Sequence, residues 1–193
     1  MIPTSVVCSS ASTCSASRPS WNTRTAVAAL KRLLDPANTV EVSRRTTAEI
    51  VAASIAETVA AQDILSWYAD AMAEVDAALA AAGQSATGPP GGLYDNALFT
   101  DERGRLEVYV PVREPPRSGR VEPLVIPSTD LACAVHRGAH TDIDVTYGAL
   151  GVWVNQHELT IAGPVHETYL VGPRDTPTEH QWRTEIGWPI APA

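Results

Sequence analysis

The sequence predicts an α+β fold made of two related halves, each running strand–strand–helix–strand–strand. Three observations predict it. Near the end of the chain WRTEIGWPI (Trp182–Ile190) reads as a buried strand carrying Glu185, and LEVYVPV (Leu106–Val112) says almost the same with Glu107. Two apolar stripes recur at helical spacing, one opened by Asp63 and one by Asp142. AGPVHETYL (Ala162–Leu170) also answers TGPPGGLY (Thr87–Tyr94), aligning Gly88 with Gly163, Pro89 with Pro164 and Tyr94 with Tyr169. A period of about 75 to 80 residues met twice points to duplication inside one domain rather than a solenoid.

In order, Met1 to about Ser20 is rich in Ser, Thr and Ala without periodicity, a pattern expected of disorder. Asn22 can cap a short helix with Val27, Leu30 and Leu34, stopped before Pro36. Residues 1–38 are therefore expected to form a disordered N-terminus with a linker-like helix, and 39–193 the folded domain. Thr39–Val42 and Ile50–Ile55 read as strands, the second broken near Glu57. From Asp63 a long helix carries Ile64, Tyr68, Met72, Val75 and Leu79 at spacings of three and four, and Gly83 ends it as a left-handed cap residue would. Trp67, Tyr68 and Met72 are expected in the core. A strand around Leu93–Asp95 and a hairpin turn at Asp101–Gly104 lead into LEVYVPV. The proline-rich Arg113–Gly119 reads as a linker. Strands at Val121–Ile126 and Leu131–Val135 follow, then a helix from Asp142 with Ile143, Tyr147, Leu150 and Val154.

Composition excludes several classes. The 193 residues suffice for one domain with a sizeable core, and the net charge of −8 argues against nonspecific nucleic-acid binding. No stretch approaches the roughly 18 apolar residues of a membrane helix, and the N-terminus lacks a signal-peptide pattern, so a cytoplasmic location is expected. The three cysteines, Cys8, Cys14 and Cys133, define neither a disulfide framework nor a zinc site; Cys133 lies in an apolar run that favours a buried thiol. His136 and His140 straddle a strand end containing Gly138, so no helical face presents both to a metal, and no cofactor is expected.

Alternation sets facing in a strand. Leu106, Val108 and Val110 share one side and Glu107 and Tyr109 the other; Ile186, Trp188 and Ile190 oppose Arg183, Glu185 and Gly187. The apolar sides must meet the helices, which leaves Glu107, Tyr109 and Glu185 on a helix-free face, and the same reasoning assigns Glu167 and Tyr169 there too. Polar residues on such a face can simply be wet. Against that, tyrosines share the parity of the glutamates, and Gly187 beside Glu185 leaves room for a ligand. A carboxylate on an aromatic floor suits a cation, and partial desolvation would let it act as a general base.

These patterns, with AVHRGAH (Ala134–His140) and GPRDTP (Gly172–Pro177), resemble the GyrI-like domain, also the effector-binding domain of many MerR- and AraC-type regulators, over about Thr39 to Pro192. Ala139 and His140 depart from the bulky residue usual after the RG of that segment. The resemblance implies one antiparallel sheet with two helices on its convex side and a ligand cleft on the other, Glu185 matching the glutamate at its floor. It also implies a lipophilic aromatic or cationic ligand. Only some 38 residues precede the domain, too few for the DNA-binding module of such regulators. Some members resembling this chain hydrolyse the cyclopropane ring of DNA-alkylating cyclopropanoid compounds. By that analogy Glu185 would activate water, with Tyr109, Tyr147, Tyr169 and Trp153 holding the ligand, although only Tyr109 and Tyr169 face the cleft by parity and the favoured reading of Tyr147 and Trp153 is core. The alternatives are a passive drug-binding or effector-sensing domain and a gyrase-inhibitor-like interaction protein.

Overall fold

The computed structural model describes residues 40–193, so the expected helix from Asn22, Thr39, Cys8 and Cys14 lie outside the described residues. In chain order the elements are β1 (Val42–Thr46), β2 (Ile50–Ala60), α1 (Ile64–Ala81), β3 (Gly91–Tyr94), the short α2 (Ala97–Thr100), β4 (Arg103–Pro111), β5 (Glu122–Ile126), β6 (Asp130–Arg137), α3 (Ile143–Gln156), β7 (Leu159–Ile161), β8 (Val165–Val171) and β9 (Arg183–Pro192). All pairs are antiparallel, in the order β1-β6-β9-β8-β3-β4-β2-β5, with β7 on the end of β9. Passing over the short α2 and β7, the element order reads β1-β2-α1-β3-β4 and then β5-β6-α3-β8-β9. The sheet reads symmetrically about the β3–β8 seam, and the leading strands cross over: β1 pairs with β6 and β5 with β2.

Each long helix covers its own half of one sheet face. Ala71, Met72, Val75, Ala78 and Leu79 on α1 recur one helical turn apart and pack on Ala53, Ile55, Val108 and Val110. Leu150 and Val154 of α3 pack on Leu106, Ala132, Ile186 and Ile190. The expected facing of β4 and β9 is therefore observed, with Leu106, Val108 and Ile186 at most 1% exposed. Gly83, at φ +64°, closes α1 as its sequence position predicts.

Differences from the expected elements have local causes. β2 runs on to Ala60 because β4 pairs with it down to Ala60↔Arg103, and Glu57 is held there by the Trp67 indole N–H (2.8 Å) and by Arg120 (3.0 Å). β1 lies later than expected, since Arg44 and Arg45 are tolerated on an edge strand that pairs with β6. The short α2 and β7 carry no periodic signal. The Arg113–Gly119 stretch runs into an anchor, where Arg120 Nε donates to Glu74 on α1 (3.0 Å) and Val121 is fully buried.

Candidate functional site

Register decides which carboxylates face which side, and it corrects one expectation. Directly opposed residues project to the same face, and β8 sets Glu167 against Ile186 and Thr168 against Glu185. Ile186 belongs to the core beneath α3, so Glu167 and Tyr169 point toward the helices, while Glu185 points away. Strand β8 misled because both of its faces are mixed: buried Glu167 looks like a surface residue in the pattern, and apolar Leu170 is 45% exposed on the opposite face.

Glu167 is 8% exposed. The Tyr147 hydroxyl on α3 donates to its Oε1 at 2.5 Å, and the Tyr169 hydroxyl also bonds to it. Tyr169 in turn shares a hydrogen bond with the hydroxyl of Tyr94 across the β3–β8 seam. The two tyrosines aligned by the sequence repeat thus meet at the centre of the sheet. Gly92, opposite Glu167, makes room for them: a Cβ there would sit 2.7 Å from the Tyr94 ring and 3.1 Å from the Tyr169 hydroxyl. Tyr68 on α1 stands edge-on to Tyr169 with ring centroids 5.5 Å apart.

Above this floor lies a cavity of about 540 Å³ between α1 and the loop after β8, walled by Ile64, Leu65, Tyr68, Leu79, Pro90, Tyr94 and Val110, with Glu167 and Tyr169 at its base and His140, Asp76, Arg174 and Asp175 also lining it. Tyr68 and Ile64 pack against the core as the α1 stripe predicts, and they also wall the cavity, because the stripe overhangs the seam. Burial pushes the Glu167 carboxyl above the usual carboxylate range, and the bonds from Tyr147 and Tyr169 draw it partly back. Burial also raises Tyr94, Tyr169 and Tyr147, the last helped by adjacent Glu167, so all three stay protonated donors at neutral pH. Burial, then neighbouring His136, lowers His140, which is a neutral imidazole there; its Nε2 lies 3.1 Å from Thr184 Oγ1. The seam is consequently an apolar, aromatic cavity with one deep carboxyl group that no arginine or lysine among the described residues neutralises.

The other expected site residues lie elsewhere. Glu185 forms an ion pair with Arg45 in a hollow on the helix-free face that also includes Tyr109. Tyr109 is 2% exposed and packs with Ala52 and Ile126. Glu107 accepts from Ser54 (2.9 Å) and Arg105 (3.0 Å) in a separate hollow. The space beside Gly187 is not left for a ligand, since Leu131 Cδ1 would stand 2.8 Å from a Cβ there. Trp153 stacks on His157 at 3.8 Å and lines none of these hollows. Arg183, which shares the parity of Glu185, donates to the backbone carbonyls of His180 and Trp182. Sequence reasoning missed Tyr94, Tyr68 and His140 as cavity residues. The repeat held a usable signal: Tyr94 and Tyr169 lie 75 residues apart in equivalent strands, and that pairing centres the site on Glu167.

The sheet, its two covering helices and the seam cavity define a small-molecule-binding domain. The chain belongs to the GyrI-like small molecule binding domain family, whose pattern matches residues 41–191. Solved structures agree in fold. EcmrR in a DNA complex is similar at TM-score 0.73 and 18% identity, over 89% of this chain and 65% of that one, so the chain spans just under two thirds of that protein's length. The isolated EcmrR C-terminal domain is similar at TM-score 0.72 and 19% identity, over 80% of this chain and 99% of that one. SAV2435 bound to tetraphenylphosphonium follows at TM-score 0.56 and 17% identity (78% and 94% covered). A hydrolase encoded by lin2189 from Listeria innocua is similar at TM-score 0.53 and 13% identity (78% and 92%). No curated protein sequence matches the chain.

Proposed function

We propose that the seam cavity binds a lipophilic aromatic cation, with Glu167 as its counter-charge and Tyr68, Tyr94 and Tyr169 as its aromatic contacts. The observation that carries this reading is the buried, un-neutralised Glu167 carboxyl at the base of an apolar aromatic cavity. A buried carboxylate is costly without a partner. A cation supplies the missing charge, and phenol rings attract it through their quadrupoles. The ligand of SAV2435, tetraphenylphosphonium, is of this class and is a suitable probe. Wild-type protein should bind it, measured by calorimetry at pH 7.5, and Glu167→Gln should weaken binding by at least about thirtyfold, the lower end of the range seen when one partner of a buried charge pair is removed. Unchanged affinity in Glu167→Gln would refute the assignment.

A second reading uses the same carboxyl for chemistry. A glutamate with raised proton affinity in a desolvated cavity is a competent general base. In ring opening of a cyclopropanoid alkylator, water oxygen would attack the strained methylene while Glu167 takes its proton. The ring C–C bond would break, and its electron pair would pass into the dienone to give a phenolate that is then protonated. Product one water heavier, formed with turnover and lost in Glu167→Gln but kept in Glu185→Gln, supports this chemistry. Loss only in Glu185→Gln would return the role to the helix-free face. Unchanged compound recovered from wild type leaves a drug-binding or effector-sensing domain as the function.

A further inference from the structure

Arg174 is the one arginine or lysine among the described residues lining the seam cavity. It lies in the β8–β9 loop, where Gly172 N–H donates to Asp175 Oδ2 at 2.8 Å and the Thr176 N–H donates to the Gly172 carbonyl at 3.1 Å, a pinned turn that fixes where the guanidinium projects. From there Arg174 forms an ion pair with Asp76 on α1 and hydrogen-bonds the Tyr68 hydroxyl. The side chains of Arg174 and Asp76 are 41% and 48% exposed, whereas Glu167 is 8% exposed. The cavity therefore has two electrostatic zones. Its base holds a carboxyl with no positive partner, and its rim holds Arg174 with two carboxylates, Asp76 ion-paired to it and Asp175 accepting from the Gly172 N–H of its own loop.

We propose that Arg174 is the charge-selecting residue of this cavity, admitting ligands with positive charge at the buried end only. The inference rests on the cation-binding reading of Glu167 and adds which cations are taken. A ligand with a second positive group at its outer end meets Arg174 directly, and finds Asp76 occupied by that arginine and Asp175 tied to its own loop through the Gly172 N–H. A ligand whose outer end is apolar meets neither obstacle. The favoured class is a lipophilic monocation with its charge at one end. Removing the guanidinium deletes a repulsive charge and frees Asp76 as an attractive one, so both effects favour a second cation. Screening by salt limits the size of the change at a half-exposed rim.

The test uses a matched pair of probes, decyltrimethylammonium and the doubly charged decamethonium, which share a ten-carbon chain and differ by one terminal cation. Affinities for both are measured with wild type, Arg174→Gln, Asp76→Asn and Glu167→Gln. Glutamine keeps a hydrogen-bond donor near Asp76 without the charge. Wild type should prefer the monocation. Arg174→Gln should shift the ratio of affinities toward the dication by about three- to tenfold, and Asp76→Asn, which leaves Arg174 without its counter-charge, should shift it the other way. An unchanged ratio in both rim variants overturns the role of Arg174 even if Glu167→Gln abolishes monocation binding. Failure of wild type to bind the monocation, or equal binding by Glu167→Gln, overturns the reading of the cavity base instead.

Discussion

Two titratable residues on β8 face opposite sides of the sheet and pull stability in opposite directions with pH. Burial raises Glu167, so the folded chain keeps its proton to higher pH than the unfolded chain. Below the ordinary carboxylate value both states are protonated and nothing is lost. As pH rises through that value the unfolded state ionises first and stability falls, until the raised folded value is passed. Glu167→Gln should accordingly raise the melting temperature at pH 8 and change it little near pH 4. His166, opposite Gly187 on the helix-free face, is pushed down by burial to about 4 from the usual 6.5, so the fold loses stability as pH falls between those values. His166→Asn should lessen that acid-side loss without changing the alkaline limb. The same argument predicts that cation affinity falls as acidification protonates Glu167, a trend absent from Glu167→Gln. Glu185 stood out in the sequence because its strand is strongly apolar on one side. Glu167 did not, because the β8 pattern gives no hint of which neighbour is paired in what register, and only register separates a buried polar side chain from a wet one.

Among the elements, α1, α3, β4 and β9 were legible because their apolar period is long and unbroken. Leu150, fully buried on the sheet-facing side of α3, marks how much that face contributes. Leu150→Ala should lower stability by about 2–5 kcal/mol, measured by urea unfolding, as for other buried leucines. The short β3 was legible only as a turn leading into a strand, yet its two glycines shape both faces of the seam. At Gly91 a Cβ would sit 2.5 Å from the Glu167 carbonyl oxygen and the Tyr109 hydroxyl, whereas at Gly92 it would press on Tyr94. Gly92→Ala should displace the tyrosine pair and weaken ligand binding more than it lowers melting temperature. Gly91→Ala meets backbone and should chiefly destabilise the fold. Comparing the two variants in melting and ligand titration separates floor geometry from strand stability. The short α2 and β7 stayed hidden because they are fixed by contacts distant in sequence, as in Asn96 Nδ2 donating to the Gly163 carbonyl at 3.0 Å.

Across the whole molecule, the repeated element order was visible in the sequence, but the exchange of leading strands was not, since nothing in residues 42–46 or 122–126 names a partner. That exchange bears on how the chain can be made. During synthesis β1 emerges long before β6, its neighbour, and β2 waits for β5 to cover its outer edge. The stretch comprising β1 to β4 leaves the ribosome with β1 unpaired and both edges of the β3-β4-β2 sheet open, a state prone to sticking to other chains. A fragment ending at Pro111 should therefore aggregate when expressed alone, and a co-expressed partner carrying residues 112–193 should rescue it. Translation that pauses after β4 would prolong that vulnerable interval, and a chaperone that shields open strand edges would be needed until Val171 emerges and β8 covers β3.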